Sequence, residues 1–277
     1  MLVITGIAVL TLGFYNATRD PIIRTANVQA PNWPAGAPPF RVLLISDVHV
    51  AGPDMTPARL SKIIHSLNAL KPDMVAIAGD LISEKRVATS LYSPAKIAAV
   101  LAQLKSPQGS VVVLGNHDNW ADAGAFRREL SARGITVLEN EATVRGPMII
   151  GGVGDHFSRH DDVPATYAAM DGLGDKLGNA PRIILTHSPD IVPALPAPVA
   201  AVLAGHTHCG QIALPFYGAV SYVSDYGARF ACGDINDKGA NGVIQRVFVA
   251  AGLGTSIIPL RYGAPPDVWV VTFGPDK

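Results

Sequence analysis

An α/β fold is what this sequence predicts, on three observations. Short apolar runs at 42–45, 74–78, 110–114 and 183–185 read as buried strands. Helical patterns fill the gaps between the first three, and that alternation implies parallel pairing. After Gly134 the spacing shortens. Residues 136–138, 143–145 and 148–153 look like strands with no helix between them, so a wound α/β half gives way to a more strand-rich one.

Taken in order, the chain opens on Met1–Phe14, almost wholly apolar and uncharged. It is shorter than the ~20 residues a membrane-spanning helix needs, and it lacks the basic start of a secretory signal. Residues 1–16 are read as an N-terminal membrane anchor; an atypical signal and a buried first element are the competing readings. Arg19 and Arg24 lean toward a cytoplasmic body, although Asp20 lies between them. Residues 17–40 are expected to be a linker. Its core, Pro-Asn-Trp-Pro-Ala-Gly-Ala-Pro-Pro, suits neither a regular helix nor a central strand. One globular domain is expected over 41–277.

Within that domain, Thr56-Pro57 reads as an N-cap with proline at the first helical position, opening a helix to about Leu70. Leu60, Ile63, Ile64 and Leu67 share one of its faces. Ser93-Pro94 opens a second helix to Leu104 in the same way. Asp122–Arg133 is a third, closed by Gly134. Ala165–Leu177 reads as one helix or two short ones, and 211–215, 247–251 and 267–273 read as later strands.

With 277 residues the chain can bury a large core without staples. Its 22 basic and 22 acidic side chains give no net charge, so no general attraction to nucleic acid follows, and nuclease action is disfavoured. Cys209 and Cys232 fit one bridge or two free thiols equally well.

Chemistry concentrates where the apolar runs end. Asp47-Val48-His49 follows the first, Gly79-Asp80 the second and Gly115-Asn116-His117-Asp118 the third. Thr186-His187 follows 183–185, and Gly205-His206-Thr207-His208 follows the weaker run 201–204. The carboxyl ends of strands are where open α/β sheets place their sites. Five of the eight histidines fall in these motifs, which argues against coincidence. Asp47 and His49 are two apart, so on a plain strand they share a side, and His206 and His208 do likewise.

Together these motifs resemble the pattern of the calcineurin-like metallophosphoesterase superfamily: Asp-x-His, Gly-Asp, Gly-Asn-His-Asp/Glu, His and Gly-His-x-His. The resemblance runs from about Arg41 to the C-terminus. It implies two mixed β-sheets packed face to face and flanked by helices, a four-layer sandwich, which suits the strand-rich second half. It also implies a phosphoric ester hydrolase with two divalent ions. Asp47, His49, Asp80 and His208 would hold one, and Asp80, Asn116, His187 and His206 the other. Asp80 would bridge the pair with one oxygen on each ion, and a hydroxide held between the ions would be the nucleophile. Mixed nitrogen and oxygen donors suit Mn, Fe, Zn or Co better than Mg or Ca. His117 is assigned to protonating the leaving oxygen or steadying the transition state, with Asp118 holding its ring.

Gly-His-Thr-His-Cys-Gly-Gln, with the later Gly252-Leu253-Gly254 and Pro259-Leu260-Arg261, is similar to one branch of the superfamily. That branch holds membrane-associated phosphodiesterases like the hydrolases of UDP-2,3-diacylglucosamine. Cys209 departs from it, standing where glycine is expected. The branch implies a phosphodiesterase or pyrophosphatase acting on a small-molecule, lipid-linked or nucleotide-linked phosphate ester. It also implies membrane association through the N-terminus; a soluble cytoplasmic protein is the alternative. A catalytically silent scaffold on the same fold is the competing function, and such members typically lack the histidine that stands here as His117. Outside the motifs, His65 reads as a solvated helix residue and His156 and His160 as polar loop residues. Arg261 is read evenly as a phosphate ligand or a cap on carbonyls.

Overall fold

A computed structural model describes residues 2–177, 179–238, 242 and 244–275. Fourteen strands and five α-helices form two six-stranded sheets and one small hairpin among the described residues. In the first sheet, β1 (Ile22–Gln29) lies at one edge. It is followed by β14 (Asp267–Gly274), β2 (Phe40–Ile45), β3 (Met74–Ala78), β4 (Ser110–Val113) and β5 (Thr136–Val137). Only the β14–β2 pairing is antiparallel in this sheet. The second sheet orders β12 (Gly233–Lys238), β13 (Ile244–Val249), β9 (Ala201–Ala204), β8 (Arg182–Leu185), β7 (Met148–Gly152) and β6 (Glu141–Arg145). The hairpin is β10 (Ala213–Leu214) with β11 (Gly218–Ala219).

The sheets are mixed and packed face to face, as the resemblance implies. Val42, Leu44, Ala76 and Val113 of one meet Ile150, Leu185, Leu203 and Phe248 of the other in one dry cluster. Outside the first sheet lie α2 (Pro57–Asn68), α3 (Pro94–Leu101) and α4 (Asn116–Ser131). Outside the second lie α5 (Val163–Leu177) and the 3₁₀ turn Pro189–Ala194. Strands buried on both faces are continuous apolar runs, which is why β2, β3, β4 and β8 are legible in the sequence.

The helix starts follow cap chemistry. Thr56 accepts the Arg59 N–H at 3.3 Å and Ser93 the Lys96 N–H at 3.3 Å, each followed by proline in the first turn. α4 differs from expectation and begins six residues earlier. Asp118 at its third position accepts the Gly115 N–H at 3.0 Å and closes the helix start. The helix is interrupted at Asp122, whose carboxylate caps the Ala125 N–H at 2.8 Å, so the helix expected from Asp122 is the second segment.

One further expectation changes at the N-terminus. Residues 22–29, within the stretch expected as linker, form β1, which pairs in parallel with β14 from Ile22 opposite Asp267 to Gln29 opposite Gly274. An edge strand half in solvent needs no apolar run, and its partner lies some 240 residues away in sequence. Of 17–40, only 19–21 and 30–39 remain irregular. Ahead of β1, α1 (Leu2–Thr18) is a helix whose first turns stand exposed. Among the described residues no helix is long and apolar enough to cross a membrane. Residues 239–241 lie outside the described residues.

Candidate metal centre

The seven side chains singled out as ligands come together where the two sheets end side by side. Asp80 is central. Its Oδ2 lies 3.4 Å from His49 Nε2 and 3.4 Å from His187 Nε2. On one side His49 Nε2 is 3.0 Å from His208 Nε2, which is 3.5 Å from Asp47 Oδ1. On the other, His187 Nε2 is 3.1 Å from Asn116 Oδ1 and 3.1 Å from His206 Nδ1. Two groups of donors therefore share Asp80, with Oδ2 facing both. Its other oxygen, Oδ1, accepts the His117 N–H at 2.9 Å and keeps a lone pair free.

Strand alternation is not what aims these groups. β2 ends at Ile45, before Asp47. Five of the seven take left-handed backbone: Asp47 (φ 46°), His49 (47°), Asp80 (53°), His206 (71°) and His208 (52°). Each costs on the order of 1–2 kcal/mol for a non-glycine residue, so the surrounding structure must hold them there. It does so through backbone bonds across neighbouring loops. Asp47 N donates to Gly79 O at 3.0 Å, His49 N to Asp80 O at 2.9 Å, and Gly254 N to Asp47 O at 2.8 Å. Gly79 (φ 78°) and Gly115 touch back to back, and a Cβ on Gly115 would overlap Asp80.

Burial sets the charges. It pulls His206 down to about 3 and holds His49 and His208 well below the usual imidazole range, so these rings are neutral donors ready to ligate. Burial also pushes the Asp47 carboxyl up to about 7, against the opposing influence of His187. Burial alone would raise Asp80, but His187, His49 and His117 outweigh it and hold it well below the carboxylate range. In return, Asp80 lifts His187 well above its usual range despite burial.

These residues fit a divalent metal. Triads such as Asp47–His49–His208 and Asp47–Asp80–His187 have donor atoms within 4.8 Å of one another and are buried. His206 Nε2 and His117 Nδ1 are buried with no hydrogen-bond partner, so polar valence is left over at this centre. The far ring nitrogens of two donors are anchored as well: His49 Nδ1 meets Ile82 O at 3.1 Å and His187 Nδ1 meets Ala78 O at 2.7 Å, which orients both rings.

His117 lines the cleft above Asp80, edge-on to His49 at 4.9 Å between ring centres and beside Trp120 at 5.2 Å. The role expected of Asp118 is corrected. Its carboxylate does not meet the His117 ring; it accepts the N–H groups of Leu81 (2.8 Å), Ile82 (3.2 Å) and Gly115 (3.0 Å). It sits at the third helical position of α4, so its side chain turns back on the helix start and clamps the loop that carries Asp80.

Arg261 settles as a cap. It is fully buried, donating to the carbonyls of Ala251 (2.7 Å) and Ala264 (2.9 Å) and also to Gly254 O, with Nη2 3.2 Å from His208 Nδ1. It staples the Gly-Leu-Gly turn beneath the metal loop. Cys209 and Cys232 form a disulfide immediately after His208. His65 is exposed on α2. His156 bonds Asp161 at 3.1 Å and His160 bonds Ser158 at 3.0 Å, so both serve their own loop. That loop instead sends Phe157 over His206, at 4.8 Å between ring centres. Phe157 and Trp120 are site residues that sequence reasoning missed, because single aromatics in polar segments carry no pattern. They help wall a cleft of about 450 Å³ with Ile212, Val220, Val223 and Ile258.

The family model of the calcineurin-like phosphoesterases matches residues 40–210. The chain is 30% identical over 246 residues to the uncharacterized metallophosphoesterase YkuE of Bacillus subtilis (strain 168), covering 86% of this chain and 80% of that one. It is 29% identical over 280 residues to a bovine protein named transmembrane protein with metallophosphoesterase domain, covering 93% of this chain and 58% of the relative. A Caenorhabditis elegans relative is matched over 97% of this chain but 55% of its own length. So the chain spans little more than half of some of its relatives. Among solved structures, the 5'-nucleotidase precursor of Thermus thermophilus superposes with a TM-score of 0.51 at 15% identity, over 84% of this chain and 55% of that one, a likeness of fold. The strand-end donors and the family match over 40–210 lead to one conclusion: this chain belongs to the calcineurin-like phosphoesterases, metal-dependent hydrolases of phosphoric esters.

Proposed function

We propose that the protein is a dinuclear phosphodiesterase or pyrophosphatase acting on a lipid-linked or nucleotide-linked phosphate ester. The observation that carries this reading is the sharing of Asp80 Oδ2 by two groups of donors. Asp47, His49, Asp80 and His208 would hold one ion and Asp80, Asn116, His187 and His206 the other. With nitrogen and oxygen donors mixed, Mn, Fe, Zn or Co is favoured. When bound, the ions supply the charge that acidifies water and neutralises the phosphoryl oxygens.

The chain's own residues do the rest. The Asp80–His117 backbone bond fixes the first turn of α4, so the His117 ring stands at the cleft, placed to give a proton to the departing oxygen. Trp120 and Phe157 wall one side of the cleft. Among the described residues lining the cleft there is no lysine or arginine, and this favours the phosphodiesterase of the two, on a substrate with one phosphoryl group beside an apolar moiety, over the pyrophosphatase. The apolar α1 supports membrane association, which the relative named a transmembrane protein makes a natural expectation.

Hydrolysis of bis(p-nitrophenyl) phosphate with added Mn²⁺ tests the proposal. Release of nitrophenol that Asp80→Ala abolishes, together with loss of bound metal by elemental analysis, is expected. Silence with every divalent ion tried would sink it.

A further inference from the structure

One apolar surface runs from the N-terminal helix to the mouth of the cleft, and Tyr262 joins its parts. The Tyr262 ring fills the space left by Gly13 of α1, and its hydroxyl donates to Val9 O. Its backbone pairs with Gln211 and Ala213, at the base of the β10–β11 hairpin. Gln211 in turn holds the next turn of the mouth, donating to Ser256 O at 3.0 Å and Ile258 O at 3.1 Å. The helix, the hairpin and the Ile257 turn therefore form one continuous rim.

This rim is apolar where it meets water. Ile257 is 74% exposed, Tyr217 76%, and Phe216 at the hairpin tip is fully exposed. Phe216 (φ 66°) and Ile257 (φ 53°) also sit in left-handed backbone, which a bulky or β-branched residue adopts only at a cost. A glycine or asparagine there would be less strained and better solvated.

α1 decides what covers the rim. Its buried residues, Gly13 and Ala17, lie near its end, and the Tyr262 hydroxyl reaches back one turn to Val9 O. The turns before that are exposed, and no face of the helix carries a charge. A partner protein would cover a stripe and leave a polar face. A helix apolar all round matches a hydrocarbon medium. Where α1 joins the body, Arg19 and Lys62 are exposed and Arg59 donates to Arg19 O at 2.9 Å; Asp20, 3.8 Å from Lys62, and the buried Asp54 beside Arg59 are the acids facing these three bases. That basic balance complements anionic headgroups.

We propose that this rim seats on an anionic lipid bilayer, and that the cleft opening beside it takes phosphoric esters of amphiphiles whose apolar chain passes over the hairpin and the Ile257 turn. The substrate half rests on the hydrolase reading above; the docking half does not.

The test uses the full chain with vesicles of phosphatidylglycerol and phosphatidylcholine, and the variant Phe216→Ser/Tyr217→Ser, whose two side chains lie outside the cleft. The parent should sediment with the vesicles, and the variant's partition should fall about tenfold with an unchanged melting temperature. Hydrolysis of soluble bis(p-nitrophenyl) phosphate should be the same in both, while hydrolysis of a long-chain alkyl p-nitrophenyl phosphate embedded in the vesicles should fall with the partition. A parent that stays in solution, a variant that partitions like the parent, or self-association that buries the hairpin in place of lipid would each overturn the docking. Docking with no hydrolysis of either ester would overturn the hydrolase reading instead.

Discussion

Asp80 shows how much one side chain is asked to do at this centre. Its Oδ2 serves both groups of donors, its Oδ1 fixes His117 through the backbone, and its own φ is 53°. Gly115 makes room for it, so Gly115→Ala would push a Cβ into the Asp80 carboxylate. That variant is expected to lose most of its bound metal, read by elemental analysis, and to cost about 1–3 kcal/mol, read by chemical denaturation. His117 is different in kind. It touches His49 and the cleft but stands outside both sets of donors, so His117→Ala should keep the metal content and lower kcat by ~10²–10⁴. Loss of metal in that variant would show that its role is ligation. Asp118→Asn keeps one acceptor oxygen but turns the other into an NH2 donor, which faces at least one of the backbone N–H groups of Leu81, Ile82 and Gly115. It should destabilise the fold by about 1–3 kcal/mol, seen as a lower melting temperature with His117 still in place.

Among the elements, the loops after the strands carry the chemistry and are held by other loops. The turn 252–254 lies under Asp47, and Arg261 staples that turn by its carbonyls. The Cys209–Cys232 bridge ties the turn after His208 to the start of β12 across 23 residues. A loop of that length is worth about 3 kcal/mol when closed. Cys209→Ser/Cys232→Ser is therefore expected to lose roughly that much stability in denaturant, whereas an unchanged midpoint would mean that the loop is fixed without the bridge. α4 shows a limit of periodicity. Its first turn is Asn-His-Asp, with no apolar face of its own, and it is helical because Asp118 caps it and β4 delivers it to the sheet edge.

For the whole molecule, the paired sheets provide a rigid floor and the N-terminus is fastened at two levels. α1 touches the body near Gly13 and Ala17, while β1 completes the first sheet along eight residues of β14. Removal of residues 1–18 should leave the melting temperature within a few degrees. Removal of 1–29 strips the ladder from β14, uncovers Val271 and Phe273, and should lower it by about ten degrees or more. Equal melting of the two truncations would show that β1 adds nothing to the fold.

The identity and order of the donors, the buried strands that present them and the capped helices between were legible in the sequence. Each rests on local chemistry: an apolar run, a cap, a histidine or aspartate at a strand's end. What needed the tertiary structure is whatever depends on residues distant along the chain. β1 is a strand because β14 lies beside it, not because its eight residues are apolar. Asp118 clamps the Asp80 loop because α4 starts where it does. Five donors hold left-handed backbone because neighbouring loops lock them there, and Trp120 and Phe157 become cleft walls only when their segments meet over His117 and His206.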